Sequence, residues 1–189
     1  MKATMIHPNN KTMFDKLCER VPHYYGEHRW HYHERAIHAM MELAPLNALE
    51  LGPFLFPLAQ ESVILDKRPD TKFGDLYGAL PNEFVSHNLN DRPWPFSDRQ
   101  FDCIIALQVL EHVNDTVAAL NEIKRIAATA VISMPFEWTT GPADHVRWTW
   151  KEFRTLWQDT GVNPIHVELC QPWHCTRLLA VFDFEAAQP

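Results

Sequence analysis

Apolar and polar positions along the chain follow two rhythms. From Glu34, the positions Ala36, Ile37, Met40, Met41 and Ala44 recur at i, i+3/i+4 spacing, which predicts a helix ending before Pro45. Short apolar runs follow: Ala48–Leu51, Ser62–Leu65, Glu83–Ser86, Phe101–Leu107 and Ala130–Met134. The near-continuous run at Phe101–Leu107 suits a strand buried on both faces. Val117, Leu120, Ile123 and Ile126/Ala127 form the stripe of a helix that Asn114 or Asp115 can cap. Thr149 and Glu152 have capping-box spacing, Phe153, Leu156 and Trp157 share a face, and Gly161 stands at the C-cap. Two last strands are expected at about Ile165–Leu169 and Leu178–Phe184. Strands alternating with helices predict an α/β fold with a doubly wound parallel sheet. The connection from Cys170 to Arg177 is too short for a helix, so the last two strands should form an antiparallel hairpin at one edge. Residues 1–33 read as an N-terminal helical or lid segment, rich in polar and aromatic residues. Residues 34–189 read as the main part of a single compact domain.

Composition narrows the class. With 189 residues, 46% of them hydrophobic and 22% charged, the chain can bury one core and is not a disordered sequence. No apolar run approaches a membrane span, and Met1–Lys11 lacks an apolar signal core, so the expectation is a cytoplasmic protein with no membrane partner. The net charge of −7 argues against a broad nucleic-acid face. Four cysteines do not make a disulfide scaffold, and Cys18, Cys103, Cys170 and Cys175 read as buried thiols. His28, His31, His33 and His38 cluster near Glu34, but in no metal-binding spacing, so no metal site is expected.

In an open α/β sheet, ligands bind beyond the carboxyl ends of the strands, near the point where the strand order reverses. The polar residues there are Glu50 and Gly52, Asp66, Asn88, and Gln108 to His112. Asp66 can accept two hydrogen bonds from a ribose diol, or it can be a solvated turn carboxylate beside Lys67 and Arg68. Gly52 can let a ligand approach the backbone, or it can serve a tight turn.

Six segments carry a family resemblance: Ala48-Leu49-Glu50-Leu51-Gly52-Pro53, Ile64-Leu65-Asp66, Pro93 through Asp102, Val109-Leu110-Glu111-His112-Val113, Ala118-Ala119-Leu120-Asn121-Glu122-Ile123, and Met134-Pro135. Together they resemble the class I S-adenosylmethionine-dependent methyltransferases, most closely the methyltransferase type 11 group. The segment His145-Val146-Arg147-Trp148-Thr149 is similar to the stretch before that family's last helix. The resemblance spans about residues 35–184 and is most specific from Pro95 to Val113. It implies a Rossmann-like seven-stranded sheet, with the last strand inserted antiparallel and helices on both faces.

The resemblance also implies site roles. The Glu50/Gly52 loop would face the methionine and ribose of S-adenosylmethionine, and Asp66 would hold the ribose hydroxyls. Asn88 and Leu89 would lie by the adenine, and Leu107 and Gln108 by the methionine end. Glu111 and His112 would border the transferred methyl. The family's first loop has further glycines where this chain has Phe54 and Phe56. Their rings either turn into the core or fill the cofactor site.

Tyr24, Tyr25, Trp30 and Trp138 are the candidate acceptor contacts, and each can equally be packing on the sheet. His112 and His145 are the candidate bases for a hydroxyl acceptor; His112 can equally fix its loop by a hydrogen bond, and His145 with Asp144 and Arg147 can be an ordinary polar turn. The expected activity is methyl transfer from S-adenosylmethionine, leaving S-adenosylhomocysteine, to an oxygen or nitrogen of a small molecule. The alternative is a methyltransferase-like binding module that has lost the cofactor. A nicotinamide enzyme on the same sheet is disfavoured by the missing Rossmann glycines. Oligomeric state is not legible.

Overall fold

The computed structural model describes residue 6 and residues 10–67, 83–137, 148–170 and 176–186. Two helices come first, α1 (Asn10–Arg20) and α2 (Glu27–Leu43). They are followed by β1 (Ala48–Leu51), β2 (Val63–Asp66), β3 (Glu83–Ser86) and β4 (Phe101–Leu107). A short 3-10 turn at Leu110–His112 leads into α3 (Thr116–Ile126), β5 (Ala127–Pro135), α4 (Trp150–Thr160), β6 (His166–Cys170) and β7 (Arg177–Asp183). The boundary expected after His33 falls inside α2. One continuous amphipathic helix crosses it and buries Tyr32, His33, Ala36 and Met40 on a single side.

The seven strands form one sheet in the order β3-β2-β1-β4-β5-β7-β6. β1 through β5 pair in parallel, and β7 pairs antiparallel with both β5 and β6. The hairpin expected at the edge is therefore present, with the later strand on the inside. Strand order reverses between β1 and β4, which fixes the switch point of the sheet.

Alternation along the strands divides the core in two. Leu49 and Leu51 of β1, Ile104 and Ala106 of β4, and Ala130, Ile132 and Met134 of β5 meet α3 and α4 on one face. Ala48, Cys103, Ile105 and Val131 meet α1 and α2 on the other. Both helix ends read from sequence at α4 are formed. Thr149 Oγ1 accepts from the Glu152 N–H at 3.4 Å, Glu152 accepts from the Thr149 N–H at 2.6 Å, and Gly161 takes the left-handed conformation at φ +62°. Asp115, rather than Asn114, caps α3.

The crossover from β1 to β2 departs from simple helix–strand alternation. Residues 52–62 contain no helix. Glu50 organises this loop from below. Its Oε2 accepts from the Leu58 N–H at 2.8 Å, and its Oε1 accepts from the Ala59 N–H at 3.0 Å and the Ser62 hydroxyl at 2.7 Å. The sheet face above the loop is covered instead by α1 and α2, which come earlier in the chain.

Candidate functional site

The carboxyl ends of β1, β2 and β4 build the site. β1 and β2 are in register as Leu51↔Leu65, so Gly52 follows β1 directly beside Asp66, and the Gly52 N–H donates to the Leu65 carbonyl at 2.9 Å. Gly52 has φ +50°. A Cβ built on it would lie 3.4 Å from Val109 Cγ2 and 4.0 Å from Asp66 Oδ2. The bare glycine thus leaves a cradle floored by its own backbone and flanked by Asp66 and Val109. Two further residues here adopt left-handed backbone without being glycine: Phe54 at φ +52° and Gln108 at φ +56°. Each costs on the order of 1–2 kcal/mol, which the surrounding packing must offset.

Phe54 and Phe56, at the positions of the family's further glycines, part ways. Phe56 turns into the core against Phe14 and His33. Phe54 keeps the glycine-like backbone conformation, and its half-exposed ring packs on Tyr24 at 4.7 Å and stacks with Tyr25 at 6.2 Å. Tyr25 is buried, and its hydroxyl accepts from the Leu55 N–H at 3.2 Å, tying the loop to the N-terminal segment. Tyr24 is more exposed, with the Arg29 guanidinium 4.1 Å above its ring.

The other candidate residues distribute as follows. Glu50 is buried, and its two oxygens serve the 53–62 loop, so its carboxylate faces that loop rather than a ligand. Burial pushes its pKa up to about 7, against the three hydrogen bonds that pull it down. Asn88 turns its amide oxygen to the Asn90 N–H at 3.2 Å, an Asx turn that leaves the second lone pair available. Leu89 packs on the core, and its carbonyl accepts from the Trp94 indole at 3.2 Å. Leu107 is half-buried at the end of β4. Gln108 is fixed to Ser133 by its backbone at 2.9 Å and by its side chain at 3.2 Å.

The 3-10 turn separates the neighbours Glu111 and His112. His112 is exposed, whereas Glu111 is buried with Oε2 lacking a hydrogen-bond partner. Burial pushes the Glu111 pKa up to about 7, while the fields of Arg177 and Arg29 pull the other way. Trp30 lies apart from the exposed rings, packed on Phe14 at 5.3 Å with Lys11 over its ring. Trp138 and His145 lie outside the described residues, as does Cys175. Cys103 and Cys170 are buried as expected, and Cys18 is half-buried.

Sequence reasoning missed Arg29 and Arg177. Arg177 opens β7 opposite Pro135 at the carboxyl end of β5, and it is buried. Both guanidiniums approach Tyr32: Arg29 donates to its hydroxyl at 3.2 Å, and Arg177 lies 5.5 Å from its ring. The only sequence signal was the i, i+3 spacing of Arg29 and Tyr32 on one helix.

Known proteins share this fold. The family model described as "Methyltransferase domain" matches residues 67–130, a span that contains the most specific part of the resemblance. Among curated proteins no sequence match is found. A chain from a complex containing the Haloferax volcanii Trm112 methyltransferase activator superposes with a TM-score of 0.68 at 18% identity, over 95% of this chain and 99% of that one. The N-methyltransferase NodS from Bradyrhizobium japonicum WM9 gives 0.60 at 16% identity, over 80% of this chain and 96% of that one. The N-terminal domain of EvdMO1 with S-adenosylhomocysteine bound gives 0.58 at 16% identity, over 79% of each chain. The fold is thus the Rossmann-like fold of the class I methyltransferases.

Proposed function

We propose that this chain, built on the class I methyltransferase fold, binds S-adenosylmethionine at the ends of β1, β2 and β4 and methylates an oxygen or nitrogen of a small molecule. The observation that carries the reading is the cradle at the switch point: left-handed Gly52 with Asp66 and Val109 on its flanks. A ribose laid on the Gly52 backbone would present its hydroxyls to the Asp66 carboxylate, and Asn88 has a lone pair to offer an adenine amino group. Bound there, S-adenosylmethionine would supply a methyl already activated by its sulfonium.

The protein's share is placement and proton handling. The strained Gln108, held by Ser133, fixes the end of β4. Tyr24 and Phe54 border the side where an acceptor would enter. With the cofactor bound, its methyl would pass from sulfur to the acceptor's lone pair, and the acceptor would then have a proton to lose. Glu111, buried and near neutral in pKa, is the group we assign to receive it, and His112 is exposed on the same turn. His145 stays a candidate from its sequence position alone.

The competing reading is a cofactor-free binding module. It is favoured by the helix-less loop at 52–62 and by the Phe54 ring. A protein partner enters here as well, since one similar structure contains an activator protein. Calorimetric titration of S-adenosylmethionine and S-adenosylhomocysteine into the full chain separates the readings. Micromolar binding that collapses in Asp66→Ala supports the methyltransferase. No heat at millimolar cofactor, with or without Asp66, sinks it.

A further inference from the structure

We propose that this chain pairs with a second copy of itself along the outer edge of β6, joining the two seven-stranded sheets into one across a two-fold axis at Val167. That edge lies three strands beyond β4, so the pairing holds whether or not the cradle binds S-adenosylmethionine.

β6 ends the sheet, and no strand pairs with its outer side among the described residues. Hydrogen-bond directions show which groups that side presents. Next to β5, the Phe136 N–H donates to the Thr176 carbonyl at 3.0 Å, and the Phe184 N–H donates to the Ala128 carbonyl at 2.9 Å. Backbone groups alternate sides along a strand, so the even-numbered residues of β7 bond to β5 and its odd-numbered residues face β6. The register Val181↔His166, Leu179↔Glu168 and Arg177↔Cys170 then commits those three residues of β6 inward, to β7. Val167 and Leu169 are left with their N–H and carbonyl groups directed outward.

The side chains along this edge complement themselves. Ile165, which leads into β6, shares one face with Val167 and Leu169, while His166 and Glu168 share the other. Ile165 is 58% exposed and Leu169 38%, so the apolar stripe runs out of the core to the open edge. An antiparallel copy related by an axis at Val167 sets Ile165 against Leu169, His166 against Glu168, and Val167 against itself. Aliphatic side chains then meet on one face, and unlike polar groups meet on the other. Because the axis falls on an outward-facing residue, the Val167 N–H of each copy donates to the Val167 carbonyl of the other. Glu168 has room for this contact. Within its own chain it meets Arg35 only at 3.8 Å and His166 at 3.9 Å, both longer than a hydrogen bond.

Other registers lack this match. An axis at Glu168 opposes two carboxylates, and an axis at Leu169 sets Glu168 against the buried Cys170. The opposite edge strand, β3, carries Glu83 as its one charge, so self-pairing gives it no partner of opposite sign. Open edges are commonly blunted by a lysine or a proline, and β6 contains neither. The occupant that fits both faces at once is therefore a second β6. With only five residues of strand on each side, the contact is small and the dimer should be weak and concentration-dependent.

The test is sedimentation velocity on the full chain from micromolar to near-millimolar concentration, with amide hydrogen exchange read residue by residue at both ends of that range. The chain should pass from monomer to dimer. Exchange at Val167 should slow about tenfold in the dimer, whereas Glu168, already bonded to β7, should change little. Val167→Pro removes the donor at the axis without breaking a bond to β7, and should weaken the dimer at least about tenfold. His166→Glu sets carboxylates against each other at two places and should weaken it about fivefold or more. Adding Glu168→Lys to that variant makes the pairs unlike again and should restore the dimer. If Val167→Pro does not fold, His166→Glu and its rescue decide. A chain that stays monomeric at near-millimolar concentration overturns the proposal. So does a dimer in which Val167 exchanges as fast as in the monomer, or one that neither Val167→Pro nor His166→Glu weakens. Failure of Glu168→Lys to rescue His166→Glu overturns the register at Val167.

Discussion

Gly52→Ala separates what the backbone requires from what a ligand requires. Gly52 sits at φ +50°, where a residue with a Cβ pays on the order of 1–2 kcal/mol. Alanine also restricts the unfolded chain, which returns about 0.4–1 kcal/mol. The added Cβ meets Val109 at 3.4 Å and Asp66 at 4.0 Å, both ordinary contacts, so no clash is added. The net loss should be about 1 kcal/mol, or roughly 2–4 °C in melting temperature for a domain of this size. The methyl group, however, occupies the floor of the cradle, so a ligand lying on that backbone must retreat. Affinity for S-adenosylhomocysteine should fall about tenfold or more, equivalent to about 1.4 kcal/mol. Gly161→Ala is the matched control: φ +62°, with nothing within 4 Å of the new Cβ. It should lose similar stability and no affinity. Thermal melts and calorimetry on both variants read the two quantities separately. Loss of affinity in both variants, or in neither, refutes the cradle.

Other consequences are as direct. Glu50→Gln sets an amide NH2 against the Leu58 N–H or the Ala59 and Ser62 donors, and should cost about 1–3 kcal/mol by urea denaturation. Because burial raises the Glu50 pKa from 4.5 to about 7, the wild-type contribution falls as pH rises through that window, so the variant's deficit should narrow from pH 4.5 to 7; a widening deficit contradicts this. His33 is buried, its Nδ1–H donates to the Arg29 carbonyl at 2.8 Å, and burial pushes its pKa from 6.5 down to about 3. Its contribution is therefore intact above pH 6.5 and drains away as pH falls toward 3, and His33→Phe should flatten that acid limb in melts taken across the range. Arg125→Lys cannot reproduce the paired bonds to Glu122 or the grip on Phe96 and Trp94, and should lower stability by about 1–2 kcal/mol without altering cofactor affinity.

Much of the sheet could be read from the chain because its signals are local. Glu83–Ser86 and Phe101–Leu107 form strands at the expected bounds, and the Thr149 box and Gly161 cap close α4 as their chemistry requires. The helix predicted from Glu34 begins instead at Glu27, because its first turns bury Tyr32 and His33 rather than aliphatic residues. β5 begins three residues before Ala130, directly where α3 stops, since no turn residue marks the change. At the site, Gly52 and Asp66 could be placed from strand ends alone. Glu50 could not: its position beside Gly52 suggested a ligand contact, but its partners Leu58, Ala59 and Ser62 come from a loop whose lack of a helix no motif announces. Arg29 and Arg177 were hidden for a simpler reason. They meet only when β7 is laid against β5 and α2 across its face.

The position of β7 also ties the site to the order in which the chain is made. β5 has a bare flank until β7 arrives, and β6, made earlier, has no strand to rest on without it. A nascent chain that has emerged only as far as residue 176 therefore displays the open side of β5, a row of unpaired backbone groups of the kind that invites wrong pairings. The residue that ends this exposure first, at the head of the strand, is Arg177. Completion of the sheet and arrival of Arg177 are one event during synthesis, so an unfinished chain is both sticky and without the guanidinium whose field reaches Glu111.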